Sequence, residues 1–139
     1  MADSTINVNE LLSLAIRARE RSYCPYSGIS VGAALLTKSG KVYLGANIEN
    51  SSFTPTVCAE RVAFFKAISE GERDFAAIAI AGGKKGMPSN PDFPPCGVCR
   101  QVMSEFCSGD FRVIWGDGNQ ITDKTFKEIL PCSFDKNNL

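Results

Sequence analysis

The stretch Phe75-Ala76-Ala77-Ile78-Ala79-Ile80-Ala81 is apolar at every position. A strand with one wet face alternates apolar and polar residues, so an uninterrupted apolar run predicts a strand covered on both sides. Such a strand needs a covering layer on each face, and the neighbouring segments offer helices to provide them. Residues 7–21 read as a helix: Val8, Leu11, Leu12, Ala15 and Ala18 recur at three- and four-residue spacing, and Asn7 with Glu10 resembles a capping box. Residues 31–37 and 41–47 read as strands joined at Ser39-Gly40. A helix over 57–70 takes Thr56 as its N-cap and stops at Gly71. Residues 82–95 form a long loop with four of the seven prolines. A helix over 97–107, a strand over 111–115, a turn at Asp117-Gly118 and a short helix near 123–130 follow. The order α, β, β, α, β, α, β, α predicts an α/β architecture with a central sheet between helical layers. At 139 residues, the expectation is a single domain spanning 1–139. The helix over 57–70 carries Val62, Ala63, Phe64, Phe65, Ala67 and Ile68 and is apolar nearly all round, so a subunit interface is one way to cover it.

Composition removes several functions. Fifteen Lys+Arg balance fifteen Asp+Glu, and a neutral surface exerts no general pull on a polyanion, which argues against a nucleic-acid partner. The chain has no histidine, which excludes a Ser-His-Asp triad, a Cys-His dyad and an HExxH zinc site. Any proton shuttle is therefore a carboxylate, Lys, Tyr or Cys, and any transition-metal site is built from thiolate or carboxylate. The first ten residues lack the basic start of a signal peptide, and no apolar run approaches the roughly 18 residues of a membrane span. A cytoplasmic location without a membrane partner is the expectation, and there cysteines more often bind metal or do redox chemistry than form structural disulfides.

Three of the six cysteines stand out. Cys96 and Cys99 lie three apart at the opening of a helix, on one side of it, and Cys58 opens the preceding helix two residues before Glu60. A helix N-terminus carries partial positive charge and favours thiolate over thiol. Two such termini converging supply three thiolates, which points to zinc with its fourth position open for chemistry. Residues two apart do not share a helix face, so Glu60 reaches such an ion only if it sits beyond the helix end. Three thiolates leave a Zn²⁺ site with a formal net negative charge, and Arg61, three residues after Cys58, is placed to offset it.

The pattern Cys58-Ala59-Glu60 followed by Pro95-Cys96-Gly97-Val98-Cys99 matches the three-cysteine variant of the zinc deaminase signature. Together with Tyr23-Cys24-Pro25-Tyr26-Ser27, Val31-Gly32-Ala33-Ala34-Leu35-Leu36, Gly45-Ala46-Asn47-Ile48-Glu49-Asn50, Arg100-Gln101 and Leu130-Pro131, it resembles the small homotetrameric cytidine deaminases along nearly the whole chain. The resemblance implies a three-layer α/β/α fold with a mixed central sheet. It implies one zinc per chain on Cys58, Cys96 and Cys99, with Glu60 as the proton shuttle. The substrate it implies is a free nucleoside, cytidine or 2′-deoxycytidine, deaminated hydrolytically to the uridine product and ammonia. Asn47 and Glu49 match residues that bond the ribose, and the Ala59 backbone a contact to the pyrimidine edge. Phe53 and Phe134 match residues that reach a neighbouring subunit's site within a homotetramer. Ile29 stands where the family usually has a Phe packed on the pyrimidine; an aliphatic face still sandwiches a base but forgoes an aromatic contribution on the order of 0.5–1.5 kcal/mol. Ala46 replaces a common Cys, and Phe53-Thr54-Pro55-Thr56 differs from the glycine-containing forms of the family.

Other readings stand beside this one. Cys96 and Cys99 alone suit a redox pair, and with Cys24, Cys107 or Cys132 as fourth ligand a structural zinc knot. The redox pair leaves Cys58-x-Glu60 unexplained, and the knot usually needs a second close-spaced pair. Cys24, Cys107 and Cys132 read as buried free thiols. Within the deaminases, a modified nucleoside, a nucleotide, a free base or an antibiotic are rival substrates.

Overall fold

In the computed structural model, which describes residues 6–139, a five-stranded mixed sheet runs in the order β2-β1-β3-β4-β5. β1 (Ile29–Thr37) is antiparallel to both β2 (Val42–Ala46) and β3 (Phe75–Lys84). β4 (Arg112–Gly116) is parallel to β3, and β5 (Ile121–Thr125) returns antiparallel along β4. A parallel pair needs a crossover, and α3 (Gly97–Phe106) lies in it. α1 (Val8–Ala18) covers one face of the sheet, and α2 (Ala59–Ser69) covers the other with α3. The expected three-layer α/β/α arrangement is thus the one the chain adopts.

The apolar run in β3 divides by the pleat. Ala77, Ala79 and Ala81 face α1, where they meet Leu11, Leu12 and Ala15. Ile78 and Ile80 face α2 and α3, in a core with Phe64, Ala63, Met103 and Cys99. Small residues on the α1 side bring that helix close, and bulky ones on the other fill the wider gap. The β1–β2 hairpin carries a glycine under a helix on each of its strands. A Cβ on Gly45 of β2 would meet the Ala63 nitrogen of α2 at 2.7 Å, and one on Gly32 of β1 the Arg19 nitrogen at 2.6 Å.

Several boundaries differ from the sequence expectation. The Asn7 half of the expected capping box forms, its side chain accepting from the Glu10 N–H at 3.0 Å. The N-cap of α2 is Cys58 rather than Thr56, whose hydroxyl instead accepts from the Asn50 N–H at 3.0 Å. Gly71, at φ 99°, does end the helix: its N–H bonds the Ile68 carbonyl and that of Glu72 the Ala67 carbonyl, the paired bonds of a Schellman motif. The segment expected as helix from 123 begins as β5, and α4 (Phe126–Ile129) starts only after it. Ile121–Thr125 is a mostly exposed edge strand, so no apolar period marked it. β3 runs on to Lys84, which shortens the long loop that follows. Cys24 is buried and Cys107 half-buried, but Cys132 is exposed, which corrects the expectation for the third. No described helix is long and apolar enough to cross a membrane.

The Gly45 contact sets how α2 sits. Gly45→Ala should destabilise the protein by about 2–3 kcal/mol through overpacking. Gly97→Ala adds its methyl where nothing lies within 4 Å and should cost less than about 1 kcal/mol. Urea denaturation of both variants compares them directly; equal losses would show that α2 does not bear on β2 in this way.

Candidate metal centre

Cys58 and Cys96 are the N-caps of α2 and α3, both with extended backbone (φ −76°, ψ 156° and φ −69°, ψ 167°). Neither side chain caps its own helix, which leaves each sulfur for another partner. Cys99 follows in the first turn of α3, fully buried. The three sulfurs lie within 4.8 Å of one another, and Cys58 Sγ and Cys96 Sγ are 3.7 Å apart. With Zn–S bonds near 2.3 Å, a tetrahedral ion separates its sulfur ligands by about 3.8 Å, the separation at which Cys58 and Cys96 already stand. Because Cys58 precedes the helix, an ion on these sulfurs sits beyond the end of α2, as a role for Glu60 required.

The cluster is polarised before any ion arrives. A hydrogen bond from the Cys99 thiol, and then the Arg61 guanidinium, hold the Cys58 thiol down to about 5 against the opposing effect of burial. Cys99 is pushed up, chiefly by giving that hydrogen bond and then by its own burial. Arg61 Nη2 donates to Cys58 Sγ at 3.2 Å, while its Nε, also buried, has no partner among the described residues. A spare guanidinium N–H beside three sulfurs suits a thiolate site that carries net negative charge once loaded. Glu60 is buried to 3% exposure, and that burial pushes its carboxyl up to about 7, a range suited to moving protons at neutral pH. Ala59, the first residue of α2, lies fully buried between Cys58 and Glu60, and first-turn N–H groups have no partner within the helix.

A second group of expected residues is placed by a small bridge of strands outside the sheet. Ile48 pairs with Tyr23 on one side and with Val57, the residue before Cys58, on the other. With side chains alternating along an extended segment, Asn47 and Glu49 point the same way, opposite to Ile48. The Asn47 amide is tied to β1: its Oδ1 accepts from the Val31 N–H at 2.8 Å and its Nδ2 donates to the Ile29 carbonyl at 2.8 Å. Glu49 Oε1 accepts from the Tyr26 and Ser27 N–H groups at 2.9 and 3.1 Å, and its Oε2 from the Ser27 hydroxyl. These bonds hold its carboxyl below the usual range, the Ser27 hydroxyl contributing most. Ser27 Oγ also accepts from the Ile29 N–H at 3.0 Å, so one hydroxyl sets both Glu49 and the start of β1.

Tyr26, Ser27, Glu49, Phe53 and Thr56 line a cavity of about 340 Å³. Phe53 stands on its rim with φ 66°, a strained backbone for a non-glycine residue, and its ring meets that of Tyr26 edge-on at 5.8 Å. Phe134 is 61% exposed. Its carbonyl accepts from Gln101 Nε2 at 2.8 Å, which fastens the C-terminal segment to α3. Cys58, Ala59, Glu60, Arg61, Cys96 and Cys99 thus form one centre, Ile29, Asn47 and Glu49 a bonded group beside it, and Phe53 and Phe134 lie outermost. Two supporting residues were given no role from the sequence. Arg100 spans the Pro95 and Ile129 carbonyls at 2.9 and 2.7 Å, steadying the approach to Cys96. Arg19 is buried, and its spacing from Leu12 and Ala15 in the apolar stripe was the signal that would have found it.

Comparison with known proteins agrees with this geometry. Residues 6–116 match the family model for the cytidine and deoxycytidylate deaminase zinc-binding region. The chain is 45% identical to a cytidine deaminase of Sporosarcina psychrophila, over 96% of each chain. It is 51% identical to one of Halalkalibacterium halodurans, over 89% of this chain and 91% of the other. A crystal structure of cytidine deaminase from Burkholderia pseudomallei superimposes with a TM-score of 0.82 at 41% identity, over 93% of this chain and all of the other. A buried carboxyl beside three converging thiols, in a fold and sequence shared with these proteins, places the chain in the zinc-dependent cytidine and deoxycytidylate deaminase family.

Proposed function

We propose that the chain deaminates cytidine and 2′-deoxycytidine hydrolytically, giving uridine or 2′-deoxyuridine and ammonia. The observation that carries this is the buried Glu60 carboxyl, poised near neutrality beside the Cys58, Cys96 and Cys99 sulfurs. When bound there, zinc supplies a Lewis acid that makes a water nucleophilic at neutral pH. Glu60 does the proton work. Its carboxylate accepts a proton from that water and delivers it to pyrimidine N3 while the water oxygen adds to C4. It then moves the second water proton to the amino nitrogen, which leaves as ammonia. Arg61 keeps Cys58 ionised throughout.

Substrate placement follows from the groups beside the centre. Glu49 is held ionised by Tyr26 and Ser27 and retains acceptor capacity for ribose hydroxyls. Asn47 presents the one amide hydrogen not used on β1 to the same sugar. The Ala59 backbone meets the pyrimidine edge, and Ile29 packs on the ring. Phe53 and Phe134, 68% and 61% exposed, suit contributions to a neighbouring subunit's site. The assembly we propose is a homotetramer of single-domain chains, 1–139, working in the cytoplasm; the half-exposed Phe65 on α2 supports an interface on that helix.

Glu60→Gln should lower kcat for cytidine by about a thousandfold or more while keeping one zinc per chain, read by ultraviolet absorbance and metal analysis. Near-normal turnover would remove Glu60 from this role. Arg61→Gln should weaken zinc retention about tenfold or more in chelator competition, because Cys58 loses the cation that holds it ionised. Zinc affinity should also depend on pH with a definite sign. Cys99 is raised and enters the site as a thiol, so loading must displace its proton. Affinity should fall as pH drops from about 8 to 6, with proton release on loading in unbuffered titrations.

A further inference from the structure

The loop between β3 and α3 is long and rich in proline, yet it is fastened along its length. Arg19, from the end of α1, donates to the Lys84 and Met87 carbonyls at 3.0 and 3.1 Å and to the Ser89 hydroxyl at 2.9 Å. Its Nε holds the Ser30 carbonyl at 3.0 Å, so one guanidinium ties this loop to the start of β1. The Asn90 N–H donates to the Gly82 carbonyl at 2.8 Å, and Trp115 Nε1 to Asp92 Oδ1 at 3.4 Å. These bonds fix where the next residue, Phe93, is delivered.

The half-buried Phe93 ring lies where a side chain on residue 82 would be: a Cβ there would meet ring carbons at 2.6 and 2.7 Å. Gly82 continues the face of Ile78 and Ile80, the one that α2 and α3 cover, and pairs with Val31. Two residues back on the same face of β1 is Ile29, and both Ile29 and Phe93 pack against the core that contains Cys99 and borders Cys58. Phe93 also precedes Cys96 by three residues, at most about 11 Å of chain. An aromatic ring from the loop and an aliphatic side chain from β1 therefore pack on the same side of the sheet, against the core that Cys58 and Cys99 share.

Resting on the pyrimidine-nucleoside assignment above, we propose that Phe93 supplies the aromatic wall against which the substrate's pyrimidine packs, the contribution that Ile29 lacks. Glycine at 82 is then a requirement of binding as well as of folding, because any larger residue expels the ring. A Phe at both 29 and 93 overfills the wall, so the two positions are coupled.

The test is steady-state deamination of cytidine, with calorimetric binding of uridine, by the zinc-loaded wild type, Phe93→Leu, Ile29→Phe and the double variant. Leucine keeps packing on Gly82 without a ring; Phe93→Met is a second ring-free variant with the same expectation. Phe93→Leu should raise KM and the uridine Kd about three- to tenfold with kcat nearly kept. Ile29→Phe should also bind more weakly, and the double variant should recover toward wild type, a non-additivity that separate structural damage does not produce. Wild-type turnover with KM and Kd unchanged in the ring-free variants, or additive losses in the double variant, overturns the proposal alone. A wild type that neither deaminates cytidine nor binds uridine overturns it together with the nucleoside assignment.

Discussion

Three thiols meet one ion only when two helices begin at the same place, and the sheet brings the starts of α2 and α3 together. α3 lies in the crossover between the parallel strands β3 and β4, and α2 rests on β2 where Gly45 lets its backbone approach. Both helices share the Ile78 and Ile80 side of the sheet, so their N-termini carry like partial charge toward a common point. That charge would repel a cation, and thiolates reconcile the two. Cys58 is already held ionised, with Arg61 beside it. The helix ends favour the anionic ligands, and the ligands attract the metal.

The rest of the site is built so that little has to move. Ile48 links Tyr23 and Val57 into a bridge that ends beside Cys58, and the segment carrying Asn47 and Glu49 passes through it. The polar side chains gathered at and beside the centre are each held by a neighbour: Asn47 by β1, Glu49 by Tyr26 and Ser27, Cys58 by Arg61. Holding donors and acceptors in place before the substrate arrives reduces the ordering cost of binding and of reaction. Glu60 is the exception: it is held by burial, which leaves its proton mobile near neutrality.

Legibility followed the range of the interaction that decides each element. α1, the β1–β2 hairpin, β3 and α3 have strong local periods or turn signals and were readable from neighbouring residues. β5 was not, because its exposed, polar residues are strand only through pairing with β4. The start of α2 moved from Thr56 to Cys58 because the Thr56 hydroxyl found a partner in the Asn50 N–H. In the site, the cysteines, Glu60 and Arg61 were readable because spacing along two helices carries their geometry. Arg19 sits visibly in the α1 stripe, but its partners in the β3–α3 loop are 65 to 70 residues away, so its fastening of that loop was not readable.

By itself the sequence determined the chemistry available: with no histidine, any metal had to rest on cysteine or carboxylate, and three cysteines at helix starts beside one glutamate left little choice of reaction class. It also pointed to a strand buried on both faces, because the run in β3 has no polar position to face water and is bounded by turn residues. Tertiary structure alone decided which cysteines converge to 3.7 Å, how deeply Glu60 is withdrawn from water and where the Phe93 ring comes to rest. Those quantities depend on distances between segments tens of residues apart, which the packing of helices on the sheet sets and local sequence does not encode.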